Sequence, residues 1–389
     1  MRAAAARGAA LPGRRGAAPP DRARPRRGAR APGGAVSARA AREARAKPGA
    51  LRRLTSPRVL VGFAITAVAL WFALRGVDFR EVGQALARAH VLPLLAISVP
   101  AHLANLWLRA VRWRYLTDPV KPIDRGTLFR GQAVGFMANN LFPLRVGEVL
   151  RAWYVAREAG ASGAAILGTV IVERMIDSVV VVGLAALVLG LGGAAAAGLE
   201  VRTVLLPLLA IAVAPLLFVI ALRMWPGPLV DLATRVLGRV LPERATERLD
   251  TSLRHLADGL RGLRGGAPLG WISLHSLSQW LVISVIPFAA TLWALGIELG
   301  SPARTALAAY ALLMWVGAAV AIPSAPGFFG PYHAACWVAL APFGVPKELA
   351  IALGTLAHGV FWLTTTAAGL VVLRTRATPL PDLDEVAPE

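Results

Sequence analysis

Arg145, Glu148 and Arg151 are spaced three residues apart, and Glu173, Arg174 and Asp177 sit inside the apolar run GTVIVERMIDSVVVV. On a helix, residues three and four apart share a face. One isolated charge at a bilayer centre costs about 2.5–3.5 kcal/mol. Six would cost on the order of 15–20 kcal/mol, more than a domain's usual net stability. They cannot simply face lipid. Three are positive and three negative, so the set can neutralise itself.

Two chemistries fit. The charges form a network that docks one segment onto the next, or they line a hydrophilic cavity that holds a polar headgroup. Arginine favours the second for phosphate, because its guanidinium binds such groups with two parallel hydrogen bonds. Asn139 and Asn140 either contact sugar or phosphate oxygens or cap a half-helix. Helix starts at Pro143 and Gly330 would aim free backbone N–H groups at an anion.

The elements that position these residues are membrane helices. The chain has 389 residues, 56% of them hydrophobic, with a mean hydropathy of +0.58. Several runs reach the roughly 20 residues that cross a bilayer core. Run length and the lack of ten-residue alternating segments favour helices over a barrel. The expected fold is all-α, a polytopic integral membrane helical bundle with about seven full spans and two broken or re-entrant helical segments. The spans are Val59–Leu74, Val91–Val111, Ile166–Leu191, Val204–Leu222, Leu269–Leu295, Thr305–Ile322 and Leu349–Leu373.

The broken segments are 127–158, interrupted at Phe142-Pro143 and Gly147, and 323–346, reading PSAPGFFGPYHAACWVALAPFGVP. Irregular backbone survives at membrane depth only where protein or a wet cavity covers it. Pro143 and Gly147 are four apart, as are Pro326 and Gly330, and a Leu-Gly-Thr follows each, at 167–169 and 353–355. Paired interrupted segments are the sequence pointer to a substrate site between repeats.

Net charge is +20, but residues 1–57 hold fourteen Arg and one Lys against Asp21 and Glu43, so 15 − 2 = +13 lies there and +7 elsewhere. This Ala/Arg/Pro/Gly-rich stretch is expected to be disordered, as is 376–389. The charge is a tail property and does not indicate nucleic-acid binding. Residues 226–267 interleave arginines with Leu and Val and are expected to lie on the cytoplasmic membrane surface. The Lys/Arg bias places the N-terminus in the cytoplasm, with loops near 76–90, 193–201 and 296–302 outside.

One cysteine, Cys336, excludes an internal disulfide. The six histidines lack metal-ligand spacing, so no metal or other cofactor is expected. His102, His275, His333 and His358 read first as packing residues, and Trp113, Trp225, Trp271 and Trp337 as interfacial anchors. Arg112-Trp113-Arg114 reads as a positive-inside stop.

The runs NNLFPLRVGEVLRAWYVARE, GTVIVERMID and PSAPGFFG, with Arg112-Trp113 before them, resemble the transmembrane domain family of lysylphosphatidylglycerol synthases, also called flippase-like proteins. The resemblance covers roughly 58–375. It implies a bacterial inner-membrane, lipid-handling domain that moves polar lipids between leaflets. Carried over by motif, the substrate-binding set is Asn139, Asn140, Pro143, Arg145, Gly147, Glu148, Arg151, Glu173, Arg174, Asp177, Pro326, Gly327 and Gly330, with His333. His333 stands where the resemblance implies a glutamate, and His358 near an expected arginine. About sixteen residues follow the last span, so no aminoacyl-transfer domain is expected there.

The partners expected are membrane lipids and a separately encoded lipid-modifying enzyme. The alternatives to translocation are a partner subunit and a lipid-modifying glycosyltransferase-type enzyme with carboxylate bases. The chain shows no nucleotide-binding loop.

Overall fold

In the computed structural model, residues 57–143, 145–188, 224–239, 266–321 and 324–376 are described, with scattered positions between 217 and 257. The basic tail, the C-terminal tail beyond 376, nearly all of Val204–Leu222 and much of 240–265 lie outside them. The described residues are helical and contain no strand.

Helix α1 (Pro57–Leu74) stops at Arg75-Gly76 and is bent by 84° from α2 (Phe79–Arg88). Asp78 caps α2 by accepting from Arg80 N–H at 2.8 Å. Helix α3 (Val91–Thr117) has 27 residues, about 40 Å at 1.5 Å per residue, longer than the hydrocarbon core. Helices α4 (Arg125–Leu141), α5 (Gly147–Ala159) and α6 (Gly163–Val188) follow. After α7 (Pro226–Leu237), α8 (Gly266–Ser278) and α9 (Ile286–Ala294) are joined by a π-helical turn at Gln279–Ile283. The last group is α10 (Pro302–Ala321), α11 (Pro331–Leu340) and α12 (Lys347–Arg376).

Among the described residues, four helices are long and apolar enough to cross a membrane: Val91–Thr117, Gly270–Ala294, Pro302–Val320 and Lys347–Thr375, or five with the bent α1–α2 pair. Seven full spans are not found among the described residues. Val204–Leu222 falls largely outside them, and α6 carries three charged side chains in 26 residues. Large apolar side chains stand exposed on several helices, among them Leu92, Trp107 and Leu363. Soluble monomers rarely expose so much apolar surface, and the chain is a multi-pass membrane protein.

Both broken segments build the same unit: a helix, a break, a short helix and a long helix. In the first, α4 and α5 run antiparallel. A Cβ on Gly131 would strike Val155, one on Gly135 would meet Arg151, and one on Gly147 would strike Gly135 and Asn139. The hairpin therefore turns back on itself, held close by glycines. In the second, α11 runs antiparallel to α12, with Cys336 beside Gly354 and Tyr332 beside His358. The second residue after the proline is left-handed in each break, Arg145 at φ 56° and Phe328 at φ 59°. A non-glycine residue there costs about 1–2 kcal/mol. The two units cross: α4 packs on α12, and α10 on α6.

Candidate functional site

Helix α3 brings Arg109 and Arg112 to one face, with Asn105 four residues earlier. Helix α6 presents Glu173, Arg174 and Asp177 to that face. Arg112 bonds Asp177 at 2.6 Å and Glu173 at 3.0 Å. Arg109 bonds Asp177 at 3.2 Å and Glu173 at 3.4 Å. From α5, Arg151 reaches Glu173 at 3.0 Å and Gln132 of α4 at 2.8 Å. Its other terminal nitrogen lies 2.7 Å from Glu148, at an angle too poor for a hydrogen bond. Arg174 pairs with Glu173 at 3.0 Å and Asp177 at 3.1 Å. Arg145, from the break, pairs with Glu148 at 3.5 Å.

The π turn completes one wall. A π turn inserts one residue into the helical ladder and often marks a functional site. Here it places Trp280 so that its indole N–H donates to Asp177 at 3.0 Å. Gln279, with its amide oxygen toward α3, accepts from Arg109 at 2.7 Å. Ser276 accepts from Arg112 at 3.1 Å. Trp113 lies under the Arg151 guanidinium, 4.9 Å from ring centre to carbon, and donates to Thr169 at 2.8 Å. It is fully buried, which corrects its reading as an interfacial anchor.

The charge balance differs from the sequence expectation. The six expected residues are joined by Arg109 and Arg112, so five arginines face three carboxylates, and 5 − 3 = +2. Arg112 reads as part of a stop signal because positive-inside residues and buried ion-pair partners use the same side chain. The missed cue was the spacing 105, 109, 112, a single helix face on an apolar run.

Burial divides the cluster. Arg112 and Glu173 are 0% exposed at the side chain, whereas Glu148, Arg145 and Arg174 are 22%, 25% and 30% exposed. The Nε atoms of Arg145 and Arg174 have no hydrogen-bond partner among the described residues. The more exposed end holds two arginines and one carboxylate, 2 − 1 = +1.

Other expected residues are placed as follows. Asn139 caps α5: its side-chain oxygen accepts from Gly147 N–H at 2.9 Å. Helix α5 starts at Gly147, not at Pro143, and that first N–H is already taken. Asn140 ties α4 to α12, donating to Thr365 and Thr366 at 2.9 Å each. The indole N–H of Trp362 donates to Asn140 O at 3.4 Å. Gly327, at φ 72°, lies against the same indole, so the two breaks meet at Trp362. Helix α11 starts at Pro331, one residue after Gly330. His333 is outside the ion-pair set and packs with Phe329, Tyr332 and His358, the two imidazoles lying 5.5 Å apart. No group of three or more metal-ligating side chains occurs among the described residues.

A sequence profile of the lysylphosphatidylglycerol synthase TM region matches residues 59–369. The chain is also similar to a protein named glycosyltransferase AglD from Haloferax volcanii, 25% identical over 350 residues. That match covers 83% of this chain and 55% of the relative, so the chain spans about half the relative's length. No solved structure matches. With the profile match running through both breaks and the charged helix α6, the chain belongs to the lysylphosphatidylglycerol synthase TM region family.

Proposed function

We propose that the chain binds the phosphate-bearing headgroup of a membrane lipid at the arginine cluster and moves that lipid between leaflets. The net +2 of the cluster carries this reading. Uncompensated charge in a low-dielectric site is strongly unfavourable. A phosphate group offsets it and fits the guanidinium fork of Arg145 or Arg174. The crossed pair of broken units supports an alternating arrangement around the site. Helix α6 is read as a further span, its charges facing inward. The Lys/Arg bias favours a cytoplasmic N-terminus.

Purified protein in liposomes should equilibrate a fluorescent anionic phospholipid between leaflets, read by quenching from outside. Glu148→Gln and Arg174→Ala should slow this at least tenfold. Equal rates in both variants and the unmodified protein sink the assignment.

The relative's name favours a second reading, a glycosyltransferase-type enzyme. Glycosylated product from purified protein, polyprenyl phosphate and nucleotide sugars would select it over translocation.

A further inference from the structure

Behind Arg109 lies a cavity of about 160 Å³ between α3, α4, the π turn, α9, α10, α11 and α12. Its walls are mostly apolar, with Phe136, Leu313, Val316 and Phe361 prominent. One wall differs. His102, Asn105 and Arg109 form a polar stripe along α3. Asn105 donates to Ser284 at 2.6 Å and accepts from Arg109 at 3.0 Å. The buried Nε2 of His102 has no partner among the described residues. Trp280 lines the cavity and also donates to Asp177, so the ion-pair cluster and the cavity share a wall.

A dry hydrocarbon pocket has no use for an unpaired imidazole nitrogen, and a water pocket has no use for the phenylalanines. An amphiphile uses both. The volume equals about five waters, well below the roughly 300 Å³ at which pockets enclose whole ligands. There is room for part of one chain.

We propose that this cavity receives a single hydrocarbon chain of the lipid, with the oxygen-bearing head end of that chain along the His102–Asn105–Arg109 stripe. The proposal rests on the headgroup reading above and names the lipid part that the second site takes. Acyl esters and polyprenyl phosphates share this chemistry, an apolar chain ending in oxygen acceptors.

Gly317 supplies the handle. A Cβ there meets only Trp280, at an ordinary 3.8 Å, so a larger side chain projects into the cavity. Full-length protein in nanodiscs is irradiated with either of two probes. One is a diacyl phosphatidic acid with a diazirine near the ester end of one acyl chain, and the other a polyprenyl monophosphate with a diazirine on the isoprene next to its phosphate. Expected is labelling of Leu313, Val316, Ala357 or Phe361, lost in Gly317→Leu, and the probe that labels names the chain type. Binding of glycerol 3-phosphate, a headgroup without a chain, should be unchanged in Gly317→Leu and weakened at least tenfold in Arg145→Gly. Labelling confined to outward residues such as Leu363 and Leu370 overturns the cavity proposal, with no variant needed. Equal cavity labelling in Gly317→Leu overturns it too. Cavity labelling with unchanged glycerol 3-phosphate binding in Arg145→Gly supports the chain site and overturns the headgroup reading alone.

Discussion

Arg112 and Asp177 meet at 2.6 Å between α3 and α6, with the arginine side chain fully enclosed and the aspartate 6% exposed. The pair is the buried end of the cluster, and Arg145 and Arg174 are its open end. Stability and the proposed headgroup binding therefore separate along one set of ion pairs.

Arg112→Ala should be destabilising. It removes buried hydrogen bonds to Asp177, Glu173 and Ser276, while Arg109 and Arg174 still pair with both carboxylates, a loss of about 1–3 kcal/mol. Arg112→Lys should recover little, because one ammonium cannot replace a two-pronged contact to two carboxylates. Thermal unfolding in detergent checks this, and an unchanged midpoint in Arg112→Ala rules it out.

Arg145→Gly should do the opposite. Its single 3.5 Å ion pair is partly exposed and contributes about 0–1 kcal/mol. Glycine relieves a left-handed conformation at φ 56°, a gain of about 1 kcal/mol. Stability should hold or rise slightly while affinity for anionic lipid falls at least tenfold, about 1.4 kcal/mol. Titration with phosphatidic acid beside a melting curve separates the two effects.

Gly147→Ala should open the α4–α5 hairpin, because its Cβ would strike Gly135 O and come within 2.6 Å of Asn139 Oδ1. Overpacking of this kind costs about 1–3 kcal/mol or more. The matched control is Gly359→Ala in α12, where nothing lies within 4 Å and alanine gains up to about 1 kcal/mol in a helix. Equal melting points for the two variants would remove the close-packed hairpin from the account.

The pairs of breaks were legible in the sequence from Pro143, Gly147, Pro326 and Gly330, since few residue types interrupt a membrane helix for other reasons. Glu173 and Asp177 were legible from their insertion cost. Arg112 reads as a stop signal because a basic residue near a helix end has two physical explanations, and only packing separates them. The role of Asn139 needed the backbone: a cap and a ligand contact use the same side-chain oxygen. The π turn has no compositional mark at all, as QWLVI is ordinary helix sequence.

Acid should weaken the start of α4. Asp124 accepts from the Thr127 hydroxyl and backbone N–H, and these bonds hold its carboxyl below the usual carboxylate range. The folded value is the lower one. The cap's contribution is therefore complete above the ordinary carboxylate pKa of about 3.9 and fades as pH falls through the folded value. Melting curves from pH 7 to pH 3 should show a smaller acid loss in Asp124→Asn, which keeps an acceptor without the titrating charge. Identical acid profiles would remove Asp124 as a contributor.

The turn at Gln279–Ile283 winds one surplus residue into a span that otherwise runs Gly270–Ala294. An α-helix advances about 100° per residue. The π turn takes up that angle locally, so deleting a single residue there would restore an uninterrupted α-helix and leave Gly266–Ser278 and Ile286–Ala294 on their present faces. What would be lost is the outward step that lets Gln279 reach Arg109 and Trp280 reach Asp177. A one-residue deletion would thus remove one wall of the charged cluster while keeping the span itself.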